Sequence, residues 1–280
     1  MSNPPILVCG DEMLDEYVWG EVERISPEAP VPIVKVTKKD LPRRGAMGNV
    51  VTNIEALGHE AYSVSPATRC RKLRIIARNQ HVLRVDFEDT PTGAELENLG
   101  FYFERFLRDP CDIVLFSDYA KGALRDVATL IQQALEADKI ILVDPKGYDY
   151  TRYNGAHLIK PNLDELRAVT GGWTSEEQLT TKVHNLREQF CISKVLLTRA
   201  GEGMTLFSDA GHYHVPSVAQ EVYDVTGAGD TTIATLAVCL NEQFSWEEAV
   251  TFANKAAGIT VRHLGAYAPT RKEVFGNDSA

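Results

Sequence analysis

Nine residues late in the chain, Asp224-Val-Thr-Gly-Ala-Gly-Asp230-Thr-Thr, set a proton acceptor inside an anion site. Ile233, Leu236, Ala237 and Leu240 follow at i, i+3, i+4 and i+7, one apolar helical face. Gly227-Ala228-Gly229 therefore opens a helix, after an extended run from His212 to Val222. The first turn of a helix has unpaired N–H donors and the positive end of the dipole. Phosphates and developing oxyanions bind there, and glycine lets them come close. A carboxylate in that turn repels a resting phosphate. Asp230 suits the site better as a base that takes the proton of a hydroxyl attacking phosphorus. The same pattern also fits a plain helix start with an acid near its cap. The loop is not a Walker A, which needs Gly-x-x-x-x-Gly-Lys-Ser/Thr.

Other polar groups stand at the carboxyl ends of apolar runs, where open α/β sheets hold their ligands. Ile6 to Gly10 leads to Asp11 and Asp15, two acids that could bind sugar hydroxyls or simply be solvated. Three further runs end in Asp118 with Lys121, Asp144 with Lys146, and Asn162 with Glu165, and polar pairs at successive tips favour function over chance. Arg43 to Asn49 starts a helix with Met47, Val50, Val51, Ile54 and Leu57 on one face and Gly58 at its end, and Asn49 in its first turn can offer its amide to a ligand. Arg69 to Asp86 is strongly basic in an acidic chain, and reads as strands Leu73 to Arg78 and Val82 to Phe87 about an Asn79-Gln80 tip. Guanidinium forks such as Arg74 and Arg84 suit a phosphate dianion, although a solvated cationic hairpin has the same pattern. His212 and His214 alternate in a strand without a third ligand and read as structural.

The scaffold follows from periodicity and composition. Short apolar strands, polar tips and amphipathic helices alternate, which predicts an α/β doubly wound sheet. Leu96 to Leu107 and Trp173 to Gln189 read as helices, and Lys194 to Thr198 as a strand. Arg24 to Val36 carries three prolines within six residues, so it is extended and outside the main sheet. At 280 residues and 44% hydrophobic content the chain can bury a large core. A net charge of −10 argues against nucleic acid or an anionic membrane as partner. Five scattered cysteines without a Cys-x-x-Cys, three of them in apolar runs, predict that most are core thiols in a reducing compartment. No secretory leader or membrane-length apolar run is present, so cytoplasm is expected.

Asp-x-Thr-Gly-Ala-Gly-Asp near the end of an α/β chain resembles the signature of the ribokinase (PfkB-type) carbohydrate kinases. Gly10-Asp-x-Met-Leu-Asp15, Arg24-Ile-Ser-Pro-Glu-Ala-Pro-Val-Pro32 and Gly45-x-x-Gly-Asn-Val50 resemble, within it, the heptose-7-phosphate kinase domain of bifunctional ADP-heptose synthases. So do the Leu-Arg-x-x-x-Arg-Asn-Gln, Ser-Asp-Tyr-Ala-Lys-Gly and Asp-Pro-Lys-Gly stretches. The resemblance spans nearly the whole chain, with two departures. Ala46 stands where that branch has glycine, and the run from Gly58 to Arg74 is shorter by about one βα unit.

The resemblance implies a ribokinase-like sheet flanked by helices, a β lid over about 16–40 and 70–88, one kinase domain over 1–280 and no nucleotidyltransferase domain. It makes Asp230 the base and the amides of Gly227, Ala228 and Gly229 the anion hole. Asp11, Asp15, Gly45, Asn49, Arg74, Arg84, Asp118 and Lys121 would bind sugar. Lys146, Asn162, Glu165, Thr198, Gly201, Gly203 and Asn254 would bind ATP, with Mg²⁺ held through water by Asn162 and Glu165. Asp224 and Thr226 resemble a monovalent-cation site, for K⁺. The expected reaction is phosphorylation of a phosphosugar, heptose 7-phosphate first, at the anomeric hydroxyl, by a homodimer joined through the lid. Alternatives are a kinase of another sugar, or a non-catalytic binding protein on the same fold.

Overall fold

In the computed structural model, residues 3–276 are described except 79 and 220. Strand β1 (Ile6–Gly10) leads into a 14-residue strand, β2 (Glu12–Ile25), then β3 (Pro32–Lys39) and β4 (Arg43–Ala46). Helix α1 (Met47–Ala56) and β5 (Ala61–Val64) follow, and the chain passes straight to the hairpin β6 (Cys70–Ala77) and β7 (Gln80–Phe87). Then come α2 (Gly93–Leu107), β8 (Ile113–Ser117), α3 (Val127–Glu136), β9 (Ile140–Asp144), β10 (Leu158–Ile159), α4 (Leu163–Thr170) and α5 (Glu176–Gln189). Strands β11 (Lys194–Thr198), β12 (Met204–Ser208) and β13 (Gly211–Val215) precede α6 (Ala228–Asn241), α7 (Trp246–Thr260) and α8 (Arg271–Phe275).

Eight strands form the main sheet in the order β13-β12-β11-β10-β9-β8-β1-β5. All its pairings are parallel except β11–β12 and β12–β13. Its central strands β1, β8, β9 and β11 are apolar on both faces, as buried parallel strands must be. Leu7 and Cys9 point to a core shared with α2, α3, α4 and α5. Ile6 and Val8 point to a second core with α1, α6, α7 and α8. The ends of β1, β8, β9 and β10 therefore lie side by side, although the residues following them are up to about 150 positions apart. Strand β5 pairs only with β1 and closes that edge, so the short run after Gly58 leaves a sheet edge rather than a gap.

A second sheet of five strands, β3-β2-β6-β7 with β4 also on β2, is the lid. The proline-spaced segment lies outside the main sheet, as expected, but it is not extended throughout: Arg24 and Ile25 finish β2, residues 27–31 bend, and the edge strand β3 begins at Pro32. Three boundaries differ from the sequence reading. Arg43–Ala46 is a strand and not a helix start, because Ala46 turns at φ 53°, ψ −127° before α1 begins. The strand expected from His212 to Val222 stops at Val215, where Pro216 lacks the donor to continue a ladder. Gln80 belongs to β7 and not to the hairpin tip, and Asn79 lies outside the described residues.

Candidate active site

Asp230 is the third residue of α6, and Gly227 precedes that helix in the left-handed region at φ 80°. A side chain at 227 would put its Cβ 2.8 Å from Asn49 Nδ2 and 3.0 Å from Ala266 Cβ, so glycine is required twice over. Asn49, at the start of α1, donates from Nδ2 to Asp230 Oδ2 at 2.8 Å. The Tyr119 hydroxyl, in the loop after β8, donates to Asp230 Oδ1 at 2.7 Å. Asp230 is 5% exposed, and burial together with the nearby Asp144 pushes its carboxyl up to about 6. The two hydrogen bonds and Lys160 oppose that rise. A carboxylate of this kind is ionised at neutral pH yet basic enough to take a proton.

Lys160 follows β10 and is 4% exposed. Its Nζ lies 2.9 Å from Asp144 Oδ1, and 3.2 Å from where a Cβ on Gly229 would stand. A buried ammonium thus sits under the N-terminal turn of α6, with Asp144 as counter-ion, adding to the positive field of the helix end. Within that turn the Ala228 N–H already donates to Val225 O at 3.2 Å. The expected three-amide hole therefore rests on Gly227 and Gly229, since a chain reversal at Val225 uses the middle donor.

Several acids expected to hold sugar are bound elsewhere. Asp11 is 3% exposed, and its carboxylate accepts the N–H groups of Tyr119, Lys121 and Ala123 at 2.9, 3.0 and 2.9 Å. Asp118 accepts the Ala120 N–H at 2.7 Å and the Tyr153 hydroxyl at 2.8 Å. Both therefore shape the loop after β8. Lys121 pairs with Glu88 at 2.6 Å, tying that loop to the end of the lid. Asp15 lies on the face of β2 that Met13 turns toward Tyr119. It accepts from Arg74 Nη1 at 2.5 Å, and a Cβ on Gly45 would stand 2.5 Å from its Oδ2, so Gly45 makes room for it.

Strand register settles which lid face meets the cleft. Residues paired across strands share a face. Asp15 pairs with Lys72 and Arg43, Tyr17 with Arg74, Arg74 with Arg84, and Lys72 with Asp86. Met13 and Cys70, on the same face, pack with Ala46 and Tyr119. Arg43, Lys72, Arg74 and Arg84 thus look toward the loop that carries Tyr119, opposed by Asp15 and Asp86. Arg84 is forked onto Asp86 at 2.7 Å through both nitrogens, while Arg43 and Lys72 have no carboxylate partner among the described residues. Sequence reasoning passed over those last two because register, not composition, turns them inward.

Beyond the α6 turn lies a cleft of about 720 Å³, lined among others by Lys160, Asn162, Thr198, Gly201, Gly203 and Asn254. Gly203, at φ 96°, lets Val215 O approach to 2.1 Å of a Cβ position, which no side chain tolerates. Asn254 donates to Pro216 O at 2.9 Å and holds the cleft wall. Asn162 and Glu165 form a capping box on α4, with Asn162 Oδ1 accepting at 2.8 Å and Glu165 Oε2 accepting at 3.0 Å. Glu165 Oε1 also accepts from Lys146 Nζ at 2.7 Å. Each Glu165 oxygen keeps a lone pair for water, which fits a hydrated Mg²⁺. Among the described residues no three His, Cys, Asp or Glu gather as a metal cluster. His214 bonds Thr205 at 2.9 Å, in keeping with a structural role. Asp224 accepts from the Thr226 N–H and hydroxyl and from the Gly265 N–H at 2.9, 2.7 and 2.8 Å, closing two loops.

A doubly wound sheet, a second β-sheet beside it and a buried carboxylate in the first turn of a helix are the features of a sugar kinase of the ribokinase class. Residues 111–273, more than half of the chain, match the model described as pfkB family carbohydrate kinase. The chain belongs to that family and is an ATP-dependent carbohydrate kinase. It is 41% identical to the D-beta-D-heptose 7-phosphate kinase of Bordetella bronchiseptica, over all of this chain and 97% of that one. That alignment runs over 309 positions against 280 residues here, in keeping with the short run after Gly58. It is 42% identical to the bifunctional protein HldE of Salmonella arizonae, over 93% of this chain but only 60% of that protein. In fold it is similar to Escherichia coli phosphofructokinase-2 in complex with potassium, with a TM-score of 0.76, 18% identity and 97% of each chain covered. Arabidopsis thaliana ribokinase complexed with ribose and ATP gives 0.73 at 20% identity, with 98% of each covered.

Proposed function

We propose that the substrate is a phosphosugar, D-glycero-β-D-manno-heptose 7-phosphate, phosphorylated at its anomeric hydroxyl on the way to ADP-heptose and lipopolysaccharide. The observation that carries this reading is the lid face, where four cations meet two carboxylates opposite the base. A surplus of two positive charges suits a phosphate dianion and has no use for a neutral sugar. The Bordetella relative, 41% identical over the whole chain, supports the heptose. A coupled ADP-release screen over heptose 7-phosphate, fructose 6-phosphate, ribose and adenosine tests it. The heptose phosphate should give the highest kcat/KM, and preference for ribose or adenosine overturns the reading.

In this reading Asp230 takes the acceptor proton, and the Gly227 and Gly229 amides with Lys160 steady the transferring phosphoryl. Asp15 holds sugar hydroxyls, and the cleft from Thr198 to Asn254 holds ATP. Magnesium would supply charge neutralisation on the ATP phosphates, with Glu165 and Asn162 holding its water shell. The loops that Asp224 and Thr226 close would carry K⁺. The chain works as one kinase domain with its lid, in the cytoplasm, as a homodimer through the lid. Leu73, Ile75, Leu83, Val85 and Phe87 support the dimer, because register sets them on the lid face turned away from the site. Val31 on the lid edge is 51% exposed as well.

A further inference from the structure

The loop after β8 is held more tightly than a substrate loop needs. The N–H groups of Tyr119, Lys121 and Ala123 go to Asp11, and that of Ala120 goes to Asp118. Two of its residues, Ala120 at φ 55° and Gly122 at φ 101°, are left-handed, so without those carboxylates the loop would relax. What this clamp delivers to the site is one group, the Tyr119 hydroxyl, 2.7 Å from Asp230 Oδ1. The Tyr119 ring is fixed as well, against Met13, Ala46 and Cys70.

We propose that Tyr119 is a positioning residue of phosphoryl transfer: it fixes the rotamer of Asp230 from the side opposite Asn49, and Asp11 acts on the base through it. The inference rests on Asp230 being the base. A carboxylate with one free χ2 would point its oxygens anywhere on a cone. Asn49 on Oδ2 and Tyr119 on Oδ1 leave a single orientation. The groups facing Asp230 are Asn49 on α1, Tyr119, Asp144 at the end of β9 and Lys160 after β10. Of these, Tyr119 and Asn49 stabilise the charged form by hydrogen bonding, Lys160 does so by charge, and Asp144 opposes it.

The Tyr119→Phe variant keeps the ring and removes the bond. Its kcat should fall about three- to tenfold, and the acid limb of kcat/KM for the sugar should move up by about half a pH unit to one unit. Asp11→Asn should move the limb in the same direction, and the double variant should add little to either. Thermal melts accompany each variant, and if Tyr119→Phe melts early the Asp11→Asn limb decides. A limb unmoved in a folded Tyr119→Phe enzyme overturns the positioning role. Asp230→Asn in the same assay separates the two readings. If it is inactive while the Phe limb stays put, only the role of Tyr119 fails. If it turns over like the wild type, the base and this inference fail together.

Discussion

Asp230 holds its charge in a place that disfavours charge. Burial, and Asp144 beside it, raise its carboxyl from 3.8 to about 6. The folded state therefore binds that proton more tightly than the unfolded chain, and stability falls as pH rises from about 4 to about 6. Over that window the loss is about 3 kcal/mol. Urea melts should show Asp230→Asn flattening this slope and gaining stability at pH 7.5 relative to pH 4. A slope unchanged by the substitution contradicts the burial argument. The same value predicts that kcat/KM falls below about pH 6, tenfold per unit, as the base protonates. Ala46 is under backbone tension. At φ 53°, ψ −127° it occupies a region that suits glycine, the residue expected there from the resemblance. Ala46→Gly should therefore stabilise by about 1 kcal/mol, since the strain relieved exceeds the added chain entropy. A lower urea midpoint for the glycine variant would show that the methyl's packing against Met13 and Cys70 dominates.

At the scale of elements, strand register sets which lid side chains face the loop that carries Tyr119. If Arg43 and Lys72, the two cations without a carboxylate partner, hold the substrate phosphate, each Ala variant should raise KM for the phosphosugar about ten- to a hundredfold and leave the dephospho sugar nearly unaffected. Arg84→Ala should do less, because Asp86 already holds that fork. Equal losses for both sugars would assign the cations to folding. Much of this layer was legible in the chain. The hairpin, the proline-spaced edge strand, helix α1 and the strand tips all follow from local pattern and turn chemistry. What pattern could not give was direction. Asp11, Asp15 and Asp118 look alike at strand ends, yet only Asp15 stays on the lid face toward the Tyr119 loop, while Asp11 meets amides far along the chain and Asp118 meets the Ala120 amide and the Tyr153 hydroxyl. Asn162 and Glu165 carry the spacing of a capping box, a local signal that was readable beside the nucleotide role. Tyr119 and Lys160 had no local signal, because Tyr119 meets Asp230 only when the loop after β8 reaches α6, and Lys160 meets Asp144 only when β9 and β10 pair.

At the scale of the molecule, the sheet brings tips from across the chain to one edge, and the lid covers them. Lys121 to Glu88 joins the two parts. The outer face of the lid leaves the apolar side chains of Leu83 and Phe87 exposed to water. A second copy would cover it, as a two-fold pair. Light scattering at micromolar concentration should give the mass of a dimer, and Val31→Asp with Ile33→Asp should halve it. A monomeric wild type with full activity removes the lid dimer and leaves the lid closing on substrate alone.

The central claim, that Asp230 is the base of a sugar kinase, meets its most direct test in the turnover of Asp230→Asn at pH 8, with ATP binding measured on the same preparation. Asparagine keeps the shape and can still be reached by Asn49 and Tyr119. The account predicts a kcat lower by about 10²- to 10⁴-fold with ATP affinity nearly unchanged. A kcat near that of the wild type contradicts it.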